Sequence, residues 1–201
     1  MVYQVIALIL ISTFYLSYCI KNKLLKKKSI EVNQLGKNES KGIKLYRFEK
    51  KLKFFTYLMV IIQYASIIID DEWYYVNVPD CIKIIGLVLL CISNIIFLLS
   101  IYCMKDNWRV GINFTNESNN KTELVKTGIY KISRNPAFLG FDLLYIGLLF
   151  VFSNPVNLIM TIILVWMFDE QIKYEEQYLL FQFKDEYEEY MKKTKRYFLF
   201  F

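Results

Sequence analysis

Five apolar runs set the terms on which this chain can fold: Val2–Ile20, Phe54–Ile69, Cys81–Cys103, Ala137–Phe152 and Val156–Phe168. A helix needs about 20 apolar residues to cross a bilayer, and lipid offers no partner to backbone N–H and C=O groups left outside a helix. The runs therefore predict an all-α, polytopic integral membrane protein with about five transmembrane helices. The last two are short and flank Ser153-Asn154-Pro155, a tight turn signal. They form a short or tilted hairpin. With 55% of its 201 residues hydrophobic, the chain has little left over for a separate soluble domain.

Charge orients the spans. The stretch from Lys21 to Lys53 holds twelve Lys or Arg against three Glu, which predicts a basic linker on the cytoplasmic side. No positive residue precedes the first run, so it reads as a retained span with its N-terminus outside rather than a cleaved signal peptide. The connector Asp70-Asp71-Glu72-Trp73-Tyr74-Tyr75 lacks Lys and Arg and suits the outer interface. After the fifth run come an acidic stretch, Tyr174–Tyr190, with an apolar stripe, then Lys192, Lys193, Lys195 and Arg196, then terminal aromatics. This pattern predicts a C-terminal interfacial amphipathic helix and a membrane-surface anchor. The arrangement is N-out and C-in. Two regions follow: residues 1–103 with three spans, and residues 104–201 with a polar loop, the hairpin and the acidic helix.

Composition removes several kinds of chemistry. There is no histidine, so imidazole acid–base catalysis, a Ser-His-Asp triad and most zinc sites are excluded. Cys19, Cys81, Cys91 and Cys103 lie in or beside apolar runs without metal-ligand spacing, so no metal is expected. The net charge of +6 belongs to residues next to apolar runs. It predicts contact with the bilayer and its anionic headgroups, not with nucleic acid.

The segment most able to carry chemistry is Lys121–Gly140, KTELVKTGIYKISRNPAFLG. Gly128 permits a turn that other residues resist. Tyr130 offers a ring and a hydroxyl, and Arg134 a planar fork suited to a carboxylate. Pro136 drives Asn135 out of helical geometry and opens the fourth span, whose first N–H groups are left for an anionic group. The same residues also suit a plain helix start with a snorkelling arginine. On the acidic stretch, Glu175 and Glu176 point about 100° apart on a helix. They are too divergent to act as a dyad. One can bind a ribose diol or an ammonium group while the other pairs with a base; a solvated helix face is the alternative. No dinucleotide fingerprint or phosphate-binding loop is present.

Taken together, TELVKTGIYKISRNPAFLG, the hairpin and YEEQYLLFQFKDEYEEY resemble the isoprenylcysteine carboxyl methyltransferase family in its bacterial branch. The motif residues are Gly128, Tyr130, Arg134, Asn135, Pro136, Phe138 and Gly140, then Glu175, Glu176, Leu179, Phe183, Tyr187 and Tyr190. The resemblance implies S-adenosyl-L-methionine as methyl donor and a lipophilic or lipidated acceptor reached from the bilayer. It places Leu124, Val125, Gly128 and Tyr130 along the adenosine side. Arg134, Asn135 and Pro136 hold the methionine end, with Phe138 in the same motif. Glu176 binds a polar group of the cofactor, supported by Glu175. Arg134 and Glu176 are the residues expected to carry activity. Two positions depart from the pattern. Lys184 stands where the family usually has Gly, and Gln171 where an Arg, associated with the acceptor carboxylate in eukaryotic enzymes, often stands.

Methyl transfer from a sulfonium needs alignment and exclusion of water more than acid–base help. A carboxylate acceptor needs no base; a thiol or amine must lose a proton, to Glu176, Glu175, Tyr130, Asp142 or water. Asp142 lies within the fourth span, where carboxylates are costly and face a cavity or a partner. Two rival readings remain at this point: an NADPH-dependent membrane reductase of the sterol-reductase type, whose C-terminal half looks related, and a non-enzymatic membrane scaffold. Lys/Ile/Asn-rich usage points to a bacterial cytoplasmic membrane.

Overall fold

The computed structural model describes residues 2–37, 39, 42–69, 76–112 and 123–197. Residues 70–75, most of the turn-rich 111–120 stretch, Lys121 and Thr122, and the terminal aromatics 198–201 lie outside the described residues. In chain order the helices are α1 (Val2–Lys27), α2 (Ile43–Ile68), α3 (Asp80–Met104), α4 (Pro136–Val151), α5 (Pro155–Phe183) and α6 (Asp185–Lys193). No strand occurs among the described residues. Four helices, α1, α2, α3 and α5, are long and apolar enough to cross a membrane, and α4 is a shorter apolar helix. The protein is an all-α polytopic membrane protein, as the apolar runs require.

The helices outrun those runs. α1 continues through Lys21–Lys27 and α2 already begins at Ile43, so much of the basic stretch expected as a linker is helix. Lysine and leucine favour helix as readily outside the bilayer as apolar residues do inside it. An apolar run marks depth in lipid, not the end of the helix. The connector between α1 and α2 is also not simply solvated. Glu49, fully buried on α2, accepts hydrogen bonds from the backbone N–H of Gly36 (2.9 Å) and of Ile112 (3.3 Å). Gln34 N–H donates to Val110 O (2.8 Å) and Val110 N–H to Val32 O (2.9 Å). Trp108 donates from its indole to Asn22 at 3.1 Å. One buried carboxylate thus ties together the segments that follow α1 and α3.

α3 and α4 cross closely because glycines meet there. A Cβ on Gly86 would lie 2.6 Å from the carbonyl oxygen of Gly147, and one on Gly147 would lie 2.9 Å from that of Gly86. Small residues let helices approach where lipid supplies no hydrophobic drive. Next to this crossing an aromatic cluster joins α1, α3 and α4: Phe14 stacks on Phe97 with centroids 4.2 Å apart, and Phe141 meets both edge-on. Asn94 reaches from α3 to the carbonyl of Leu10 on α1 (3.2 Å), an interhelical hydrogen bond of the kind that polar residues make within membrane bundles.

The hairpin has unequal arms. α4 has 16 residues, while α5 runs for 29 and includes both the fifth apolar run and the first half of the acidic stretch. The turn between them is capped by Asn154, whose side chain accepts from Asn157 N–H at 2.8 Å, with Pro155 at the first helical position. The acidic stretch is not one helix. It breaks at Lys184, where φ is +47°, and α6 leaves in a new direction. The resemblance implies a glycine at this position, and a positive φ is the backbone that glycine adopts most easily. Lysine holds that turn at a cost of about 1–3 kcal/mol.

Two substitutions check this account by thermal unfolding in detergent. Lys184→Gly relieves the backbone and is expected to raise the midpoint. Gly86→Ala forces α3 off α4 and is expected to cost about 1–3 kcal/mol.

Candidate functional site

The loop before α4 is built by its backbone. Thr127 is extended, Gly128 takes φ +62°, and Gly128–Lys131 forms one 3-10 turn. A Cβ on Gly128 would lie 2.4 Å from Cys103 Sγ on α3. That closeness presses the turn against α3, where Ile129 and Tyr130 pack with Ile96 and Val125. Ser133–Asn135 then runs beside the chain end as a short parallel pairing. Arg134 N–H donates to Lys195 O (2.9 Å), Asn135 N–H to Arg196 O (3.2 Å), and the Ser133 hydroxyl to Arg196 O (2.8 Å).

Residues far apart in sequence meet at Glu176. Arg134 donates from Nη2 (2.9 Å) and Nε (3.1 Å) to Glu176 Oε1. Asn135 Nδ2 donates to the same oxygen at 3.3 Å. On the other side, Arg196 Nη2 donates to Glu176 Oε2 at 2.7 Å. Arg134 Nη1 is taken up by the carbonyls of Met191 and Thr194. The Arg134 and Glu176 side chains are 8% and 6% exposed. A carboxylate held by two guanidiniums in a buried site is a strong, charge-assisted arrangement. Removing one member leaves an uncompensated charge.

Around this pair the expected site residues sort themselves. Arg134, Asn135 and Glu176 are in direct contact. Pro136 is buried at the first position of α4. Tyr130 is buried and accepts through its carbonyl a hydrogen bond from the Tyr190 hydroxyl (2.6 Å), which docks α6 on the loop. Burial, with the nearby Tyr190 and Glu175, pushes the Tyr130 phenol well above its usual range. It therefore stays protonated near neutral pH and does not serve as a proton acceptor. Glu175 is half-buried and accepts from Gln171 Nε2 at 3.1 Å. Gln171 Oε1 is buried without a hydrogen-bond partner. Leu124 and Val125 are half-buried on the approach to the turn, and Gly128 is exposed. Phe138 stands apart from the others, edge-on to Phe168 across the hairpin at 5.4 Å.

The chain end is the part that the pattern of residues did not reveal. Arg196 belongs to a basic cluster expected to face headgroups. Instead it turns inward to Glu176 and to Asp169 Oδ1 (3.3 Å). Its hydrogen bond to Glu176 raises its already high pKa. The Tyr197 hydroxyl donates to Asp142 Oδ2 at 3.0 Å. Lys192 and Lys193 stay exposed. The available signal was the spacing of Asp169 and Glu176, seven residues apart and so on one face of a helix, which calls for a basic partner.

This geometry sits inside a recognisable family match. The family model described as phospholipid methyltransferase matches residues 82–186, just over half of the chain and including the loop, the hairpin and α5. The chain belongs to the phospholipid methyltransferase family. Within it, the resemblance to isoprenylcysteine carboxyl methyltransferases is borne out by curated relatives of that name. The protein-S-isoprenylcysteine O-methyltransferase of Saccharomyces cerevisiae is 43% identical over 72 residues, 35% of this chain and 30% of that protein. Protein-S-isoprenylcysteine O-methyltransferase B of Arabidopsis thaliana is 31% identical over 110 residues, 54% of this chain and 55% of that protein. A probable protein-S-isoprenylcysteine O-methyltransferase of Oryza sativa subsp. indica is 29% identical over 114 residues, 56% of this chain and 59% of that protein. The matched stretches thus span between about a third and three-fifths of these relatives' length.

If the two arginines hold this end of the family fold together, Arg134→Ala leaves a buried carboxylate with half its partners. The expected cost is about 3–5 kcal/mol of stability. Thermal unfolding of Arg134→Ala, Glu176→Ala and the double variant in one cycle measures the coupling, which should be strongly favourable.

Proposed function

We propose that the protein is a membrane methyltransferase that uses S-adenosyl-L-methionine to methylate a lipophilic acceptor at the membrane face. The observation that carries this reading is the Arg134–Glu176 contact at the base of the hairpin, in a chain whose family match spans both partners. The orientation that fits is N-terminus outside and C-terminus cytoplasmic, in a bacterial cytoplasmic membrane. Lys26 and Lys27 at the end of α1 and Lys44, Lys50 and Lys51 in the first turns of α2 support it.

The donor groups fit a sulfonium nucleoside. Gln171 Oε1 is a buried acceptor without a partner, and it shares a helix face with Glu175 beside the Tyr130 turn. Two acceptors side by side suit a ribose diol or an ammonium group. Val125 and Leu124 offer apolar surface for a base, on the approach to the turn that Gly128 seats against Cys103. S-adenosyl-L-methionine, when bound, supplies a methyl group on a good leaving group. The chain's own residues bind, orient and exclude water. Arg134, its N–H groups largely committed to Glu176, Met191 and Thr194, fixes the loop and leaves one Nη2 proton for a carboxylate. Glu176, saturated by two arginines, positions both of them and is not a base. Glu175 is the carboxylate that meets the cofactor.

Calorimetric titration of the purified protein in nanodiscs tests this. S-adenosyl-L-methionine should bind and NADPH should not; the reverse result would overturn the reading in favour of a reductase. Glu175→Ala should weaken cofactor affinity by about 10–100-fold, the range for a hydrogen bond to a charged group, with little change in unfolding midpoint.

A further inference from the structure

Between the start of α2 and the far half of α5 the bundle leaves an open groove of about 330 Å³. Lys44 and Leu45 line it from α2, and Tyr174, Gln177, Tyr178 and Phe181 from α5. The α5 residues recur at i, i+3, i+4 and i+7, which is one helix face. Glu176, gripped by its two arginines, leaves the same helix on the opposite side. The groove is therefore separate from the candidate site, although the two share a helix. Phe48 closes it toward the bilayer by leaning on Tyr174, with ring centroids 5.7 Å apart.

Its depth follows from the other end of the same helix pair. Ser66 on α2 donates to Asn157 on α5 at 3.3 Å, beside the turn that joins α4 to α5. Lys44 is 22 residues from Ser66, and residues 174–181 are 17–24 residues from Asn157. At 1.5 Å per residue the groove lies about 26–36 Å from that contact. The hydrocarbon core is about 30 Å thick, and the headgroup layers bring the bilayer to about 40–45 Å. With Ser66 and Asn157 at one edge of the core, the groove opens at headgroup level on the opposite leaflet. Tyrosine is enriched at that level, and the groove carries two.

The charge around it has one sign. Lys44 is exposed and has no ion-pair partner among the described residues. Arg47 and Lys51 follow it at i+3 and i+7 on one helix face. Glu49, the only acid on α2, is buried and held by the N–H groups of Gly36 and Ile112. No carboxylate lines the groove among the described residues. An anion is attracted here, and a cation meets like charge. Gln177, exposed on the α5 face, adds an amide for a polar headgroup.

We infer that this groove is a binding site for one anionic phospholipid of the adjoining leaflet. Its phosphate sits against Lys44, with Arg47 and Lys51 adding to the attraction. Its glycerol part lies on the rings of Tyr174 and Tyr178, and its chains descend outside the Phe48–Tyr174 contact. Diffuse attraction between lysines and a charged membrane needs no groove and sets no stoichiometry; this site has both. Occupancy ties α2 to the half of α5 that carries Glu175 and Glu176. The binding does not rest on the methyltransferase reading.

The probes are dioleoyl phosphatidylglycerol and dioleoyl phosphatidylcholine, added to the full chain in mild detergent, with bound lipid counted by native mass spectrometry. One phosphatidylglycerol should be retained per chain, at least about tenfold more tightly than phosphatidylcholine. Lys44→Ala should weaken that binding about fivefold, the scale for one basic residue at a headgroup. Lys26→Ala, which removes the same charge from the exposed end of α1, should change it less than about twofold. Gln177→Trp fills the groove from an exposed position without altering charge, and should remove the retained lipid. Phosphatidylglycerol should raise the unfolding midpoint of the wild type and not of Gln177→Trp. Equal retention of phosphatidylcholine, equal losses in Lys44→Ala and Lys26→Ala, or full retention in Gln177→Trp overturns the proposal in favour of diffuse attraction. Competition by glycerol 3-phosphate at the lipid's own concentration overturns it in favour of a free-phosphate site.

Discussion

Everything at the functional end of this bundle hangs on one buried carboxylate gripped from two directions. Glu176 is carried out of the bilayer by α5, Arg134 by the loop before α4, and Arg196 by the chain end. None of these three can be taken from water without the others, because an isolated charge in such surroundings costs several kcal/mol. The ion cluster therefore specifies which segments meet, while apolar packing and the glycine crossing of α3 and α4 specify only that the helices associate. The backbone pairing of 133–135 with 195–196 follows from it.

The connection between pair and hairpin was legible before any coordinates. Ser153-Asn154-Pro155 announces a turn, and two apolar runs on either side bring their far ends to the same membrane face. Arg134 and Glu176 sit just beyond those ends, so meeting was the economical outcome. Arg196 was not legible for a physical reason. Basic residues beside aromatics have a general explanation at headgroups, and periodicity reports which face a residue occupies, never which distant segment will cover it. The same limit hid Glu49, whose partners are backbone N–H groups of glycine and isoleucine that carry no side-chain signature.

At the first two spans the helices run past the apolar residues that announce them. Apolar content falls at the bilayer edge, but nothing at Lys21 or Lys53 breaks a helix: no proline, no glycine, no cap. The true breaks come where left-handed backbone is demanded, at Ser29 and at Lys184, and neither residue type announces it. Lys184 shows the difference between a motif and its reason. Lysine stands where the resemblance implies glycine, yet the turn that glycine would ease is kept, and α6 still brings Tyr190 to the Tyr130 carbonyl.

That α5 is one unbroken rod of 29 residues, Pro155–Phe183, capped by Asn154 at one end and carrying Glu176 near the other, has a mechanical consequence. A rod has no joint at which to absorb a thinner or thicker sheet of lipid, so it answers mismatch by leaning. Leaning swings Glu176 and Asp169 together against the shorter α4, which is pinned by glycine contacts and cannot follow. The thickness of the surrounding lipid thereby bears on the ionic grip.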